Sequence, residues 1–355
     1  MSDFSRNTRA MLLTHQEHYP LAQIRDYLKF LFQSSFGCEH LISDPSVASA
    51  YIRKEAEQAA PRKGEIIEPL DGPYCRVHLD ILKEGLSPDT FAALFARSAC
   101  HEDEGTAALE EKLSVLLHMA DAGELSLDAT DLREAIASWR QLSFPACHHS
   151  QAFRDAYAPA YRLMKADYAR YLPLFCAIDR KLQQAGYLTV VIDGMCAGGK
   201  STLATLLAEI YGCLVFHMDD YFLRPEQRAP ERYAEPGGNV DRERFAEEIL
   251  RPLRENRAIC YRPFNCSTMA LDEPITVSPT ALTVIEGSYS LHPALRSDDQ
   301  LSVFLRIDPE KQMERIIRRN GPEYAKVFES RWIPLEQTYF DTFKPSEHCD
   351  LVFQA

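Results

Sequence analysis

The chain has 355 residues, enough for about two domains. It is 46% hydrophobic and 26% charged, an ordinary globular mixture, and its formal net charge is −13. This acidic balance argues against a nucleic-acid partner, and no window approaches the roughly 18 apolar residues of a membrane span. The N-terminus lacks the apolar core of a signal peptide, so we expect a cytoplasmic protein with no membrane partner.

Ten cysteines are spread through the chain without CxxC pairs. In a chain of this length they predict reduced thiols rather than a disulfide framework. Three segments, FGCEHL, ACHED and ACHHS, place Cys near His. None has paired ligand spacing, so buried thiols and surface histidines are favoured over a zinc site, which stays an alternative.

Residues 1–183 are predicted to form a mainly α-helical domain of unknown role. The segment PLAQIRDYLKFLFQSSFG has apolar residues at helical spacing and ends at Gly37, while SPDTFAALFARSA begins with Ser87 as a cap and Pro88 in the first turn. The pattern recurs up to residue 182, and strand signals are sparse. The most distinctive segment, DGPYCRVHLDILKEGLS, is interpreted as a helix docking site.

Residues 184–355 are predicted to form an α/β domain. Five short apolar runs, YLTVVIDG, CLVFHMDD, ALTVIEG, LSVFLRID and CDLVFQA, have helical segments between several of them. This alternation predicts a parallel sheet with helices on both faces. The segment 257–279 predicts two short strands and a turn inserted over the sheet.

The segment VIDGMCAGGKSTL fits the phosphate-loop pattern G-x-x-x-x-G-K-[ST], between an apolar strand and an amphipathic helix. Glycines let the backbone turn tightly and point N–H groups at phosphate oxygens, and the helix N-terminus adds its dipole. Lys200 would reach the β and γ phosphates, and Ser201 would offer a hydroxyl to Mg²⁺. The predicted nucleotide-binding residues of the loop are Gly194, Ala197, Gly198, Gly199, Lys200, Ser201 and Thr202.

Acidic residues stand at the ends of the second and third apolar runs. Asp219 and Asp220 follow the second run, where strand ends face the ligand crevice of such a sheet. A carboxylate there can accept a proton from an attacking hydroxyl or hold Mg²⁺ through water; N-capping of a helix is the alternative for both. Glu286 ends the third run, and a Mg²⁺-linked role is favoured over a salt bridge.

The fourth run leads into RIDPEKQMERIIRRNGPEY, which predicts a helix capped by Asp308. Arg315, Arg318 and Arg319 lie on one face of that helix. Because three guanidinium groups repel one another unless an anion lies among them, a lid that clamps the transferring phosphate is favoured over a solvated face.

Residues 186–355 resemble the uridine kinase and phosphoribulokinase group of phosphate-loop kinases. The matching segments, in the family's order, are GMCAGGKSTL, HMDDYF, EPGGNVDRERF, YRPF, VIEGSYSL and ERIIRRN. The resemblance implies a five-stranded parallel core, ATP with Mg²⁺ as cofactors, and transfer of the γ-phosphoryl group to a hydroxyl of a nucleoside-like small molecule such as uridine. YRPF lacks the acid found in the family's P-x-Y-D-F pattern, so pantothenate, glycerate and nicotinamide riboside stay alternative acceptors.

The resemblance also implies roles for individual residues. Asp219 would activate the acceptor hydroxyl, with Lys200 and Arg318 as further catalytic residues. Arg315 and Arg319 would contact ATP. Acceptor contacts are predicted for Asp220, Tyr221, Asp241 and Arg262, and Mg²⁺ contacts for Ser201, Asp219 and Glu286.

Two other classes of function stay open at this stage. One is a nucleotide-dependent switch that hydrolyses ATP slowly and uses the helical domain as its output. The other is a partner-binding module attached to a degenerate kinase, against which the intact Gly-Lys-Ser triplet and the two acids argue. Homo-oligomer formation is also left open.

Overall fold

The computed structural model describes residues 3–38, 44–59, 64–99 and 105–355. The chain divides into two compact units, Met1–Ala177 and Ile178–Ala355. Among the described residues, no helix combines the length and apolarity needed to cross a membrane. The cysteines described are free thiols, whereas residues 100–103 of ACHED and 39–41 of FGCEHL lie outside the described residues.

The first unit is mainly helical, as predicted. Its helices are α1 (Asp3–His18), α2 (Ile24–Phe36), α3 (Pro45–Gln58), α4 (Pro88–Ser98), α5 (Gly105–Asp121), α6 (Ala129–Gln141), α7 (Gln151–Tyr157), α8 (Ala166–Ala169) and α9 (Leu172–Ala185), the last of which continues into the second unit. Ser87 caps α4 through a 3.0 Å bond from the Thr90 N–H, with Pro88 in the first turn. These caps confirm the helix start that the sequence predicts.

A three-stranded antiparallel sheet in the first unit was not predicted. Its strands are β1 (Ile67–Pro69), β2 (Tyr74–His78) and β3 (Tyr161–Lys165), in the order β1-β2-β3. The segment DGPYCRVHLDILKEGLS contains β2 and the 3₁₀ turn Leu79–Glu84, and its interpretation as a helix docking site stays a prediction. Strand β2 is buried throughout although it contains Arg76 and His78. These polar residues interrupt the apolar run by which a buried strand is recognised in sequence.

The second unit contains the predicted parallel sheet. Its strands are β4 (Leu188–Gly194), β5 (Leu214–His217), β6 (Ile259–Tyr261), β7 (Phe264–Asn265), β8 (Ala270–Leu271), β9 (Ile275–Val277), β10 (Leu282–Glu286), β11 (Gln300–Arg306) and β12 (Leu351–Gln354). Five of them form one all-parallel sheet in the order β12-β11-β4-β10-β5, which confirms the fold class. These are the five apolar runs of the sequence.

Helices connect and cover these strands. They are α10 (Lys200–Tyr211), α11 (Pro230–Ala234), α12 (Arg242–Phe245), α13 (Arg251–Arg254), α14 (Pro309–Asn320), α15 (Pro322–Val327), α16 (Ile333–Phe343) and α17 (Pro345–His348). A π-helical turn, Ala246–Leu250, joins α12 to α13, and another, Phe328–Trp332, joins α15 to α16.

The inserted segment 257–279 contains four short strands rather than the two predicted. Strand β6 pairs with β9 and β7 pairs with β8, so each arm of the hairpin is interrupted once. Pro263 separates β6 from β7, and Pro274 lies between β8 and β9. Because proline has no N–H to donate to a ladder, each arm breaks near its proline.

The strand order places a ligand crevice at one edge of the sheet. Strand β4 lies between β10 and β11, and the chain leaves it first toward β5 and later toward β12. Ligands of open α/β sheets bind at the carboxyl ends of the strands, where the order reverses in this way. In the strand register Glu286 lies opposite both Ile192 and His217, so the ends of β4, β5 and β10 meet at this edge.

Candidate functional site

A tight strand–loop–helix connection follows β4, and we call Gly194–Thr202 the phosphate loop. Gly194 has a φ of +142°, and a Cβ placed there would lie 2.2 Å from the Leu305 carbonyl oxygen on β11. Gly199 has a φ of +90° directly before α10 begins at Lys200. This is the structural context that the sequence motif requires, with glycines where other residues would be strained.

Lys200 is folded back onto the phosphate loop. Its side chain is largely buried, and Nζ donates to the carbonyl oxygens of Gly194 at 2.7 Å and Met195 at 3.0 Å. A third bond, of 3.2 Å, reaches Oγ of Ser288 in the segment after β10. The ammonium group therefore lies inside the loop, where a nucleotide phosphate could exchange for these acceptors.

Two later helices brace the phosphate loop. Glu336 on α16 accepts from the Cys196 N–H at 2.9 Å and from the Ser288 hydroxyl at 2.5 Å. Gln312 on α14 donates to the Cys196 carbonyl at 2.9 Å. Glu336 and Gln312 are both buried, and the sequence reasoning missed them because no local motif marks residues more than 100 positions from the loop.

The predicted metal-binding residues Ser201 and Glu286 are in contact. The Ser201 hydroxyl donates to Glu286 Oε1 at 3.1 Å, and the same oxygen lies 2.5 Å from His217 Nδ1. The Glu286 carboxylate is buried, whereas His217 is half exposed. This hydrogen bond raises the pKa of His217, opposed by burial. Sequence reasoning did not single out His217, although it lies two residues before Asp219.

Asp219 stands beside this group without capping a helix. It lies in the 3₁₀ turn Met218–Tyr221, whose start shows no side-chain cap bond. Its carboxylate has no hydrogen-bond partner among the residues that the structure describes. Desolvation raises the pKa of Asp219, the positive charge of Lys200 opposes the shift, and Glu286 adds to it. The predicted catalytic acid is thus within electrostatic reach of the phosphate-loop lysine.

Asp193 is a buried carboxylate that anchors the start of the phosphate loop, and sequence reasoning did not single it out. Asp193 accepts backbone N–H bonds from Gly194 at 2.6 Å and Tyr289 at 3.1 Å on one oxygen. Its other oxygen accepts from the Leu291 N–H at 3.0 Å and the Tyr339 hydroxyl at 2.8 Å. Asp193 therefore fixes the end of β4 against the segment that follows β10.

The residues predicted to contact the acceptor have structural partners. Tyr221 is fully buried and donates to Glu248 at 3.2 Å, which leaves it no surface for an acceptor in this conformation. Asp241 is buried as the N-cap of α12, accepting from the Arg244 N–H at 3.2 Å. An acceptor contact by either residue stays a prediction.

Arg262 and Asp220 complete that predicted set. The Arg262 guanidinium donates to the backbone carbonyls of Asp272 at 2.6 Å and Leu271 at 3.1 Å, so it holds the hairpin arms together. Asp220 is half-buried, and desolvation raises its pKa. Of the four predicted acceptor residues, Arg262 is exposed and Asp220 half-buried, whereas Tyr221 and Asp241 are buried.

The three arginines of α14 are not equivalent. Arg315 is half-buried and donates to the Ala197 carbonyl of the phosphate loop at 3.2 Å. Arg318 is exposed, and Arg319 is exposed with its guanidinium 5.8 Å from the Phe328 ring. Only Arg315 is in contact with the loop, so the lid role of the other two stays a prediction.

The oxygen donors at this edge suit Mg²⁺ bound to a nucleotide. In such sites one or two protein oxygens and the substrate phosphates hold the ion, and Ser201 and Glu286 can supply the protein part. In the described part of the chain, no three or more His, Cys, Asp or Glu side chains are grouped to hold a metal.

His149, from the segment ACHHS, contacts Asp26 at 2.9 Å and the Tyr161 hydroxyl at 2.7 Å.

No protein-family model and no curated protein matches the chain. Solved structures similar to it include a possible uridine kinase from Bacillus stearothermophilus, at 24% identity and a TM-score of 0.38, covering 51% of this chain and 98% of that one. A candidate fructose transport system kinase from Silicibacter sp. TM1040 has 19% identity and a TM-score of 0.39, covering 50% and 97%. Shikimate kinase from Acinetobacter baumannii has 16% identity and a TM-score of 0.26, covering 49% and 87%.

These three structures, each named as a kinase or a possible kinase, match about half of the chain. At these identities and TM-scores the likeness carries no information about the substrate.

Proposed function

We propose that residues 178–355 form a kinase that transfers the γ-phosphoryl group of ATP to a hydroxyl of a small molecule. The observation that carries this proposal is the position of Asp219. It lies at the end of β5 beside a phosphate loop, within electrostatic reach of Lys200 and Glu286, with no hydrogen-bond partner among the described residues. A carboxylate left free at this edge is suited to accept the proton of an attacking hydroxyl.

The other residues of the site supply positioning and charge. The phosphate loop and Lys200 would hold the polyphosphate, and Ser201 with Glu286 would hold Mg²⁺, which neutralises phosphate charge. Arg315, already at the loop, is the arginine best placed to meet the transferring group. Phosphoryl transfer depends mostly on such positioning and charge stabilisation, to which a general base adds about 10²–10⁴-fold.

The acceptor in this proposal is a nucleoside-like molecule, uridine first, with pantothenate, glycerate and nicotinamide riboside as alternatives. Support comes from the segment NVDRERF, which matches the family's acceptor region in sequence, whereas YRPF lacks the family's acid and is the reason for the alternatives. The half-buried Asp220 offers a carboxylate that can accept hydrogen bonds from acceptor hydroxyl groups.

ADP release from the purified full-length chain, measured with and without each acceptor, tests the proposal. A kinase produces ADP only when its acceptor is present, and the phosphorylated acceptor is then identified by mass spectrometry. ADP and free phosphate formed at the same rate without any acceptor would instead support the nucleotide-dependent switch and refute transfer.

Two variants test the site itself. Asp219→Asn should lower kcat by about 10²–10⁴-fold while nucleotide still binds. Asp299→Asn, an exposed acid before β11, removes the same charge outside the crevice and should leave kcat unchanged. Lys200→Ala should weaken both ATP binding and turnover. Near-normal turnover of Asp219→Asn would remove Asp219 from the catalytic role.

A further inference from the structure

The first unit contains a cavity that the phosphotransfer site does not involve. Its volume of about 820 Å³ falls within the range of roughly 300–1,000 Å³ found for small-molecule sites. The lining comes from α1, the middle of α2, the residue after α3, the segment around β1, the end of β2 with the following 3₁₀ turn, and the end of α7 with the residues after it. Buried lining side chains form its floor: His15, Tyr19, Phe30, Glu68 and His78.

The one carboxylate on the floor already has partners. Glu68 accepts from Arg76 Nη1 at 2.9 Å and from the Tyr19 hydroxyl at 2.7 Å, and its second oxygen lies 3.3 Å from His78 Nε2. Arg76 has no exposed surface and does not line the cavity, so it neutralises Glu68 from behind. A ligand is therefore not needed to compensate this charge.

His15, by contrast, is a buried polar group without a partner. Its side chain is 2% exposed, and neither ring nitrogen has a hydrogen-bond partner among the described residues. The ring stacks on Phe30 at 4.6 Å and lies 5.0 Å from the Tyr19 ring. Burial lowers the pKa of His15 to about 3, so the ring is neutral at pH 7, with one nitrogen a donor and the other an acceptor. Leaving such a group unpaired is unfavourable, and a bound molecule could relieve this.

The rim of the cavity selects by charge. Among the lining residues that the structure describes, Glu65, Asp80 and Asp155 are acidic and none is Lys or Arg. Asp80 is paired with Lys83 at 2.6 Å, so Glu65 and Asp155 carry the remaining acidic charge of the rim. Anions such as nucleotides or other phosphate compounds would be repelled there. Tyr19 and Tyr157 add ring faces, which attract cations.

We propose that this cavity binds a small organic amine whose hydrogen-bonding group pairs with His15 and whose ammonium group faces the rim carboxylates and the tyrosine rings. The proposal stands apart from the phosphotransfer activity, because its residues all belong to the first unit.

Calorimetric titration of the full-length chain at pH 7.5 tests the charge preference. The probes are three aromatic amines, tyramine, histamine and tryptamine, each paired with a propionic acid that carries the same ring. At least one amine should bind at least about tenfold more tightly than its paired acid, which corresponds to about 1.4 kcal/mol. If no amine binds, or if the acids bind as tightly, the proposal is overturned.

Substitutions then test the assigned residues. His15→Phe retains the stacked ring and removes both nitrogens, so amine affinity should fall by about tenfold while the variant stays folded. The double variant Glu65→Gln/Asp155→Asn should reduce the preference for amine over acid. The matched control Glu111→Gln/Glu134→Gln removes two exposed charges of helices α5 and α6 and should leave it unchanged.

A purely structural role for His15 would leave amine affinity intact in His15→Phe, and that result overturns the assignment of His15. Thermal melting of His15→Phe without a ligand provides the folding control. The variant should melt no lower than the parent, because it no longer buries unpaired polar atoms.

Discussion

Substitution of Gly194 should separate two strands at the entrance of the phosphate loop. A Cβ at this position would lie 2.2 Å from the oxygen, 2.7 Å from the nitrogen and 2.9 Å from the carbonyl carbon of Leu305. These atoms are backbone, so they cannot rotate away as a flexible side chain could. In Gly194→Ala, β4 and β11 must move apart, and the 3.2 Å bond from the Met195 N–H to the Leu305 carbonyl would break.

The size of the effect follows from three contributions. Overpacking costs about 1–3 kcal/mol, a backbone conformation reserved for glycine about 1–3 kcal/mol, and a lost hydrogen bond about 1 kcal/mol. Taken at the middle of each range, their sum is about 5 kcal/mol. Gly212, the C-cap of α10, is a matched control, since it has a φ of +62° and nothing within 4 Å of an added Cβ. Gly212→Ala should therefore cost only about 1–2 kcal/mol.

The two tryptophans of the chain make the measurement specific to one unit. Trp139 belongs to the first unit and Trp332 to the second, so a Trp139→Phe background leaves Trp332 as the fluorescence probe. With a urea m-value of about 2 kcal/mol/M, the unfolding midpoint should fall by about 2.5 M in Gly194→Ala and by less than about 1 M in Gly212→Ala. Equal shifts in the two variants would refute the steric reasoning.

Three further predictions concern buried polar groups. Glu336→Ala should destabilise the second unit by about 2 kcal/mol because the Cys196 N–H loses its acceptor, whereas Glu336→Gln, which retains an amide oxygen, should cost under about 1 kcal/mol in the same urea assay. Arg76→Met should destabilise the first unit by about 3–5 kcal/mol, since Glu68 stays buried without its cation; Trp139 fluorescence in a Trp332→Phe background measures this, and a loss below about 1 kcal/mol contradicts it. Desolvation, and secondarily Arg76, lowers the pKa of folded His15 to about 3. Below pH 6.5 the folded state therefore binds fewer protons than the unfolded state, and its stability falls as the pH falls. His15→Phe removes this loss, so its free energy of unfolding relative to the parent should rise by about 2 kcal/mol between pH 7 and pH 5, and an unchanged difference contradicts this.

The second unit was predictable because its signals are local. Strands buried on both faces consist of short continuous apolar runs, and all five runs form strands of the parallel sheet. The phosphate loop is one contiguous motif, and Asp219 and Glu286 follow strands directly. Knowing that these strands are parallel was enough to expect their ends at one edge.

The remaining features depend on contacts between distant parts of the chain. Strand β3 pairs with β2 from more than 80 positions away, with Tyr74 opposite Lys165, and neither strand exceeds five residues. Glu336 reaches the phosphate loop from α16, and a glutamate within a helix gives no sign in sequence of its burial. Arg76 and His15 are polar residues whose burial depends on surrounding aromatic rings. Residue type alone predicts exposure for Glu336 and Arg76, and it does not predict full burial for His15.

The inward position of Lys200 has a consequence for ligand selectivity. Its ammonium group already has three acceptors, two carbonyls and a hydroxyl. The binding free energy that a nucleotide gains from this lysine is therefore only the difference between its phosphate contacts and the three hydrogen bonds that they replace. A nucleoside without phosphates offers nothing in this exchange and leaves the lysine where it is. We expect the loop to discriminate by the number of phosphates on a ligand, with the identity of the base contributing little at this position.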